Sequence, residues 1–247
     1  AVGRRAYPAR ARAVDAGLTK PDRIEMRRRL ATLAVAAALA AAGAVPAAQG
    51  PTHGRLFPPE DLGILESPDR EAWQEPERIM DALGIADGSR VADIGAGGGW
   101  FTVRLARRVG PNGRVYAEDV RHEMIQSITQ RVANQGLRNV VTILGTTSDP
   151  HLPAGLDAVL VVDTYPYFSE ADRVPLLQKI GEALAPHGRL GIVDFKPDGR
   201  GGPGPPLDER LDPEVIKRDA ARAGLRLIGE ETTRYQYVLI FGRADAQ

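Results

Sequence analysis

The stretch that decides the fold is Asp93-Ile94-Gly95-Ala96-Gly97-Gly98-Gly99. It follows a short apolar run that begins at Arg90, and residues 100–109 after it have the spacing of an amphipathic helix. Glycines between a strand and a helix let the backbone approach a ligand closely and permit positive φ angles. The segment therefore predicts a ligand-binding loop between the first strand and the first helix of an α/β domain.

The spacing of these glycines excludes two common phosphate-binding loops. A dinucleotide fingerprint GxGxxG/A that starts at Gly95 places Trp100 at its last position, where glycine or alanine is required. The sequence contains no GxxxxGK[ST], so a P-loop is excluded as well. An acidic residue followed by Gly-x-Gly-x-Gly is the pattern that remains.

Strand and helix patterns alternate from residue 78 onward. The predicted strands are 90–95, 115–117, 140–144, 158–162, 190–195, 225–231 and 237–241. The predicted helices are 100–109, 124–132 with an end near 136, 169–184 and 212–224. Such alternation predicts a doubly wound parallel sheet with right-handed crossovers. Only a few residues join the last two strands, which predicts an antiparallel pair.

The acidic-x-Gly-x-Gly-x-Gly loop resembles the cofactor loop of class I S-adenosylmethionine (SAM) methyltransferases. The likeness extends over most of residues 70–242, and residues 184–190 resemble the family's LkPGGrl turn, with His187 in place of a glycine. The resemblance implies a seven-stranded Rossmann-like methyltransferase sheet in the order 3-2-1-4-5-7-6 with an antiparallel last strand. It also implies SAM as cofactor and methyl transfer to a small-molecule or protein acceptor.

The cofactor residues follow from the loop and from the end of the second strand. Asp119 lies 20 residues beyond Gly99, where its carboxylate can accept both ribose hydroxyls. Glu118 is the neighbouring candidate, and because side chains alternate along a strand we expect only one of the two to face the ribose. The resemblance implies adenine contacts at Val120 and Thr146. The predicted cofactor-binding residues are Asp93, Gly95, Ala96, Gly97, Gly99, Asp119, Val120, Thr146 and Asp163.

The methyl acceptor is predicted to lie where the fourth strand ends, in Asp163-Thr164-Tyr165-Pro166-Tyr167. Ligands of open α/β sheets bind at this carboxyl edge, next to the glycine loop. One bacterial subgroup of the family ends this strand in Asp-x-Tyr-His-His, and the histidine pair is absent here. The predicted catalytic residues are therefore Asp163, Tyr165 and Tyr167, with Asp163 as an orienting group or weak base. Asp163 could instead cap a loop, and the tyrosines could instead pack against the N-terminal arm.

Composition excludes several other functions. The chain has no cysteine, and its four histidines lack metal-ligand spacing, so no metal site is predicted. Residues 1–47 hold nine basic and three acidic side chains, which leaves the remainder with a net charge of −6. An acidic body argues against nucleic acid as a partner.

The N-terminal segment has the pattern of a secretory signal peptide. Met26-Arg27-Arg28-Arg29 precedes sixteen residues without a charge, 30–45, and small residues follow up to Ala47. We therefore expect an over-extended reading frame at 1–25, a signal peptide at 26–47, an arm at 48–77 and the SAM-dependent methyltransferase domain at 78–247. The expected location is periplasmic or secreted, with membrane contact only during export. The alternative to a signal peptide is that the apolar segment forms an Ala-rich buried helix and that the protein is cytoplasmic.

The sequence leaves three classes of function open. A methyltransferase agrees with the loop, the acidic residue at Asp119 and the resemblance. A non-catalytic SAM- or nucleoside-binding protein agrees with the missing histidines and the export signal. An NAD-linked enzyme is disfavoured by Trp100.

Overall fold

Seven strands form one sheet in the computed structural model, which describes residues 66–199 and 202–245. The strands are β1 (Arg90–Ile94), β2 (Arg114–Asp119), β3 (Val140–Leu144), β4 (Leu156–Val162), β5 (Leu184–Phe195), β6 (Leu225–Thr232) and β7 (Gln236–Arg243). Their order is β3-β2-β1-β4-β5-β7-β6. The first five strands pair in parallel, and β7 pairs antiparallel with both β5 and β6. The predicted order and the antiparallel last strand are confirmed.

Among the described residues, six α-helices connect or precede these strands. They are α1 (Arg70–Gln74), α2 (Pro76–Ala82), α3 (Trp100–Val109), α4 (His122–Asn134), α5 (Glu170–Ala183) and α6 (Pro213–Arg222). Two of these helices begin at side-chain caps: the hydroxyl of Ser169 accepts from the Asp172 amide, and the carboxylate of Asp212 accepts from the Glu214 amide. Such caps satisfy amides that have no partner within the helix.

The core lies on both faces of the sheet. Val159 and Val161 of β4 pack with α5 and α6 on one face, whereas Ala158 and Leu160 pack with α2 and α3 on the other. This arrangement is the reason that β4 is continuously apolar, because a central parallel strand is covered on both sides.

The fifth strand begins earlier than predicted. Leu184 was expected on the apolar face of the preceding helix, but it is extended (φ −65°, ψ 140°) and pairs with Leu156 of β4. Pro186 disfavours a helical conformation at the residue before it, which ends the helix at Ala183. The pairing then shifts register between Leu156 and Ala158.

The predicted domain organisation stays a prediction. The expected signal peptide, the segment before it and the arm up to residue 65 lie outside the described residues. The expected domain start at residue 78 falls inside α2. Within residues 66–199 and 202–245, no helix has the length and apolar character needed to cross a membrane.

Candidate cofactor and active site

A cleft opens at the carboxyl ends of β1, β2 and β4. It is lined by eight of the residues predicted from the sequence: Asp93, Gly95, Ala96, Gly97, Asp119, Val120, Asp163 and Tyr167. Gly99, Thr146 and Tyr165 do not line it. Glu118, the alternative ribose candidate, lines the cleft as well, and so do residues that were not predicted as site residues, among them Arg70, Trp100 and Phe168.

The glycine loop follows β1 with three positive φ angles. They are 64° at Gly95, 54° at Gly97 and 80° at Gly99. A Cβ atom on Gly95 would overlap the side chain of Thr164, which follows β4, so glycine lets the two strand ends approach each other. Gly99 has a different role from the one predicted, because it is the N-cap residue of α3 and faces Ile128 rather than the cleft.

Asp93 lies buried beneath this loop. The hydroxyl of Thr102 on α3 donates to its Oδ2 over 2.6 Å, which ties the first helix to the first strand. Burial raises the pKa of Asp93 to about 6, although the Thr102 hydroxyl and Arg70 oppose the rise.

Two carboxyl groups enter the cleft from the end of β2. Asp119 accepts hydrogen bonds from the amides of Gly97 and Arg121, each over 3.0 Å, and the Arg121 Nε atom lies 3.8 Å from it. Glu118 accepts from the Gly95 amide over 3.3 Å. Both residues line the cleft. Alternation separates side chains along a strand, but at its last residues a long side chain can bend over the sheet edge.

Thr146, the predicted adenine contact after β3, does not line the cleft. The amide and hydroxyl of Thr146 both donate to the Asp149 carbonyl, over 2.8 and 3.2 Å, so this side chain closes a turn. Val120, by contrast, lines the cleft where it was predicted.

Asp163 is held by a network that reaches it from two distant parts of the chain. Arg70 on α1 lies 3.4 Å from its Oδ2, and Gln236 on β7 donates to its Oδ1. Gln74 joins these partners, because it accepts from Arg70 over 3.0 Å and donates to Gln236 over 2.7 Å. Burial raises the pKa of Asp163 to about 6, and Arg70 and the glutamines oppose the rise.

Arg70 is the cation that sequence reasoning missed. Its guanidinium lies 4.3 Å from the centre of the Trp100 ring, which also contacts Arg104 at 3.4 Å. The polar pattern of residues 69–76 does not indicate a buried arginine. The segment before the domain therefore forms one wall of the site.

The two predicted catalytic tyrosines have different positions. Tyr167 lines the cleft. Tyr165 has no exposed surface, and its hydroxyl donates to Asp219 of α6 over 3.2 Å, so its predicted place in the acceptor site is wrong. The cause is local: Asp163 has a φ of 53° and Tyr165–Tyr167 form a 3₁₀ turn, which breaks the strand alternation.

The cleft has the features that a nucleoside with a cationic amino-acid tail requires. Its floor is a glycine-rich loop in which Ala96 is the largest residue, and carboxyl groups surround that loop. Within the described residues, no three His, Cys, Asp or Glu side chains are grouped so that they could hold a metal ion. The residues present therefore fit SAM.

Comparisons with known proteins agree with this chemistry. The methyltransferase-domain family model matches residues 91–188. A solved SAM-dependent methyltransferase from Aquifex aeolicus is 28% identical, has a TM-score of 0.70, and is matched over 75% of this chain and 98% of that one. These similarities support a class I SAM-dependent methyltransferase with S-adenosyl-L-methionine as its cofactor.

Two curated relatives are similar over shorter ranges. Nocamycin O-methyltransferase of Saccharothrix syringae is 31% identical over 130 residues, which are 52% of this chain and 43% of that protein. Protein-L-isoaspartate O-methyltransferase of Aeropyrum pernix is 30% identical over 152 residues, which are 56% and 54% of the two chains. The chain thus spans about half the length of the curated relatives it matches.

Proposed function

We propose that this protein transfers the methyl group of SAM to an acceptor that binds on the Asp163 side of the cleft. The observation that carries the proposal is the placement of the Asp163 carboxyl group, which lines the cleft beside the glycine loop and is fixed by Arg70 and Gln236. The catalytic group and the cofactor loop therefore share one cavity. Bound SAM supplies a methyl group that is already activated by a sulfonium.

The residues of the cleft would orient the acceptor and remove its proton. With a pKa of about 6, Asp163 is about nine-tenths ionised at pH 7, so it can accept a hydrogen bond or a proton from the acceptor. A carboxylate of this pKa is a weak base, which favours an acceptor that is already nucleophilic or largely deprotonated. Tyr167, Phe168 and Trp100 supply aromatic surface that keeps water from the reacting atoms.

We propose a small molecule or a protein as acceptor. The relatives quoted above are named for one of each kind, and the acidic body of the chain disfavours nucleic acid. Radiolabelled methyl transfer from SAM to fractionated small molecules and proteins tests the choice. Asp163→Asn is expected to lower kcat much more than it weakens SAM binding, whereas Asp208→Asn, on an exposed turn, should change neither.

A second candidate is a SAM-binding protein without catalysis. It is favoured by the engagement of both Asp163 oxygens, one with Arg70 and one with Gln236, and by the absence of the histidine pair. Single-turnover measurements with the acceptor fractions distinguish the candidates, because a binding protein retains SAM without forming S-adenosylhomocysteine.

We also propose that the protein is exported. The support is the sequence pattern of residues 26–47 alone. Cell fractionation with N-terminal sequencing tests it: a mature chain that begins near Ala48 outside the cytoplasm supports export, and a cytoplasmic chain that retains residues before Met26 contradicts it.

A further inference from the structure

Strand β2 ends in two acidic residues, Glu118 and Asp119. Their carboxyl oxygens differ in how many hydrogen-bond partners they have. Both oxygens of Asp119 accept backbone amides, one from Gly97 and one from Arg121. Glu118 is only 2% exposed, and its Oε2 accepts from the Gly95 amide. Its Oε1 is buried and has no hydrogen-bond partner in the part of the chain that the structure describes. A buried oxygen without a partner is costly, so it indicates a group that a ligand completes.

The backbone around Glu118 leaves room for its carboxyl group. A Cβ atom on Gly145, just after β3, would overlap Oε1 and crowd the rest of the carboxyl. Glu118 lies between Gly95 and Gly145 in the sheet order, because β2 lies between β1 and β3. Two glycines thus flank a carboxyl group that lines the cofactor cleft.

We propose that Glu118 is a second ribose-binding residue, which donates a hydrogen bond from Oε1 to the cofactor while Asp119 accepts from a ribose hydroxyl. The inference rests on the SAM-binding role of the cleft. It adds a residue that donates a hydrogen bond to the cofactor, whereas Asp119 accepts one. A ribose hydroxyl both donates and accepts, so one donating and one accepting group complement the diol.

The surroundings of Glu118 keep its proton in place. Burial and the charges of Asp119 and Asp93 raise the pKa of Glu118 to about 8, and the Gly95 amide opposes the rise. The other charged groups that line the cleft are Glu66, Arg70, Arg121 and Asp163.

The loop after β3 supplies no counter-charge that is aimed at Glu118. Asp149 accepts from the His151 amide over 2.9 Å, and the His151 ring nitrogen Nδ1 lies 3.2 Å from the Leu144 carbonyl. These side chains are therefore engaged within their own loop. At pH 7 the Glu118 carboxyl is a donor, and near pH 9 it becomes an acceptor only.

Calorimetric titration of S-adenosylhomocysteine into the full chain tests this inference. Glu118→Gln retains a donor and the shape of the acid, so its affinity at pH 7 should stay within about threefold of the original, whereas Glu118→Ala should lose about two- to tenfold. From pH 7 to pH 9 the original protein should weaken by up to about tenfold relative to Glu118→Gln, because only the protonated fraction is competent. The glutamine variant corrects for titration of the ligand itself.

Gly145→Ala provides an independent perturbation that adds no charge. It should weaken binding as Glu118→Ala does, because its methyl group displaces the carboxyl. Equal affinity of Glu118→Ala and the original protein would overturn the inference, as would a glutamine variant that is as weak as the alanine variant. The inference would also be overturned if the ratio of the ligand affinities of the original protein and of Glu118→Gln did not change with pH. These results leave the proposed function standing, whereas an original protein that does not bind the ligand contradicts both.

Discussion

Replacing Asp163 with asparagine is expected to make the stability of the fold less dependent on pH and to impair methyl transfer. The pKa of Asp163 is raised from 3.8 to about 6, mainly by burial, so the folded protein holds a proton on this group more firmly than the unfolded chain does. The stability that this proton contributes is fully present below pH 4 and is lost as the pH rises through 6. Asparagine has the shape of the protonated acid and never ionises.

The size of the effect follows from the same two pKa values. The gap between 3.8 and about 6 corresponds to about 3 kcal/mol, since each pKa unit is worth about 1.4 kcal/mol. The Asp163 side chain is 9% exposed, so solvent screening reduces this figure little. The attraction between Arg70 and ionised Asp163 is already part of the Asp163 pKa of about 6. Its loss in the asparagine variant is therefore not subtracted a second time.

Urea denaturation from pH 4 to pH 8 measures the difference. The free energy of unfolding of Asp163→Asn minus that of the original protein should grow by about 2 kcal/mol between pH 4 and pH 7, because part of the full difference is already lost at pH 4, and should level off above that. Buried carboxyls other than Asp194, whose pKa is raised in part by the charge of Asp163, titrate alike in both proteins and cancel in the difference. Asp208→Asn, on an exposed turn, is the matched control and should show a flat difference. A flat or falling difference for Asp163→Asn would refute the reasoning.

Four further substitutions separate the roles of the residues around the cleft. Asp119→Ala should weaken SAM binding by about 1–3 kcal/mol in calorimetry, because charge-assisted hydrogen bonds are lost; unchanged affinity would remove this residue from the ribose site. Gly97→Val should weaken binding further, since its φ of 54° disfavours a β-branched residue, and a variant that binds normally would contradict this. Tyr165→Phe should cost about 0.5–1.5 kcal/mol of stability through its lost bond to Asp219 and leave SAM affinity unchanged; a specific loss of affinity would contradict its place in the core. Tyr167→Phe should lower kcat more than SAM affinity, and full turnover would exclude its hydroxyl from the reaction.

Features that depend on local sequence were predictable. The glycine loop, the helix at residues 100–109 and the strand at 140–144 appear in the structure with the predicted bounds, because periodicity and glycine position are local signals. The caps at Ser169 and Asp212 are local as well, since each requires only a side chain and an amide two or three residues later.

Features that depend on distant partners were not predictable. Arg70 and Asp163 are 93 residues apart, and Gln236 is 73 residues beyond Asp163. Gln236 is polar at the start of the otherwise apolar strand β7, which is a signal of a buried polar role but does not identify its partner. Tyr165 was misplaced because the turn after β4 depends on a positive φ at Asp163, a conformation that the sequence of a non-glycine residue does not indicate.

Equilibrium titration of the full chain with SAM, with NAD as the competing ligand, tests the central claim most directly. The cleft described above predicts one SAM site per chain, with S-adenosylhomocysteine displacing SAM, NAD leaving it bound, and Gly97→Val abolishing the signal. A chain that is folded by circular dichroism and binds NAD but not SAM would contradict the account.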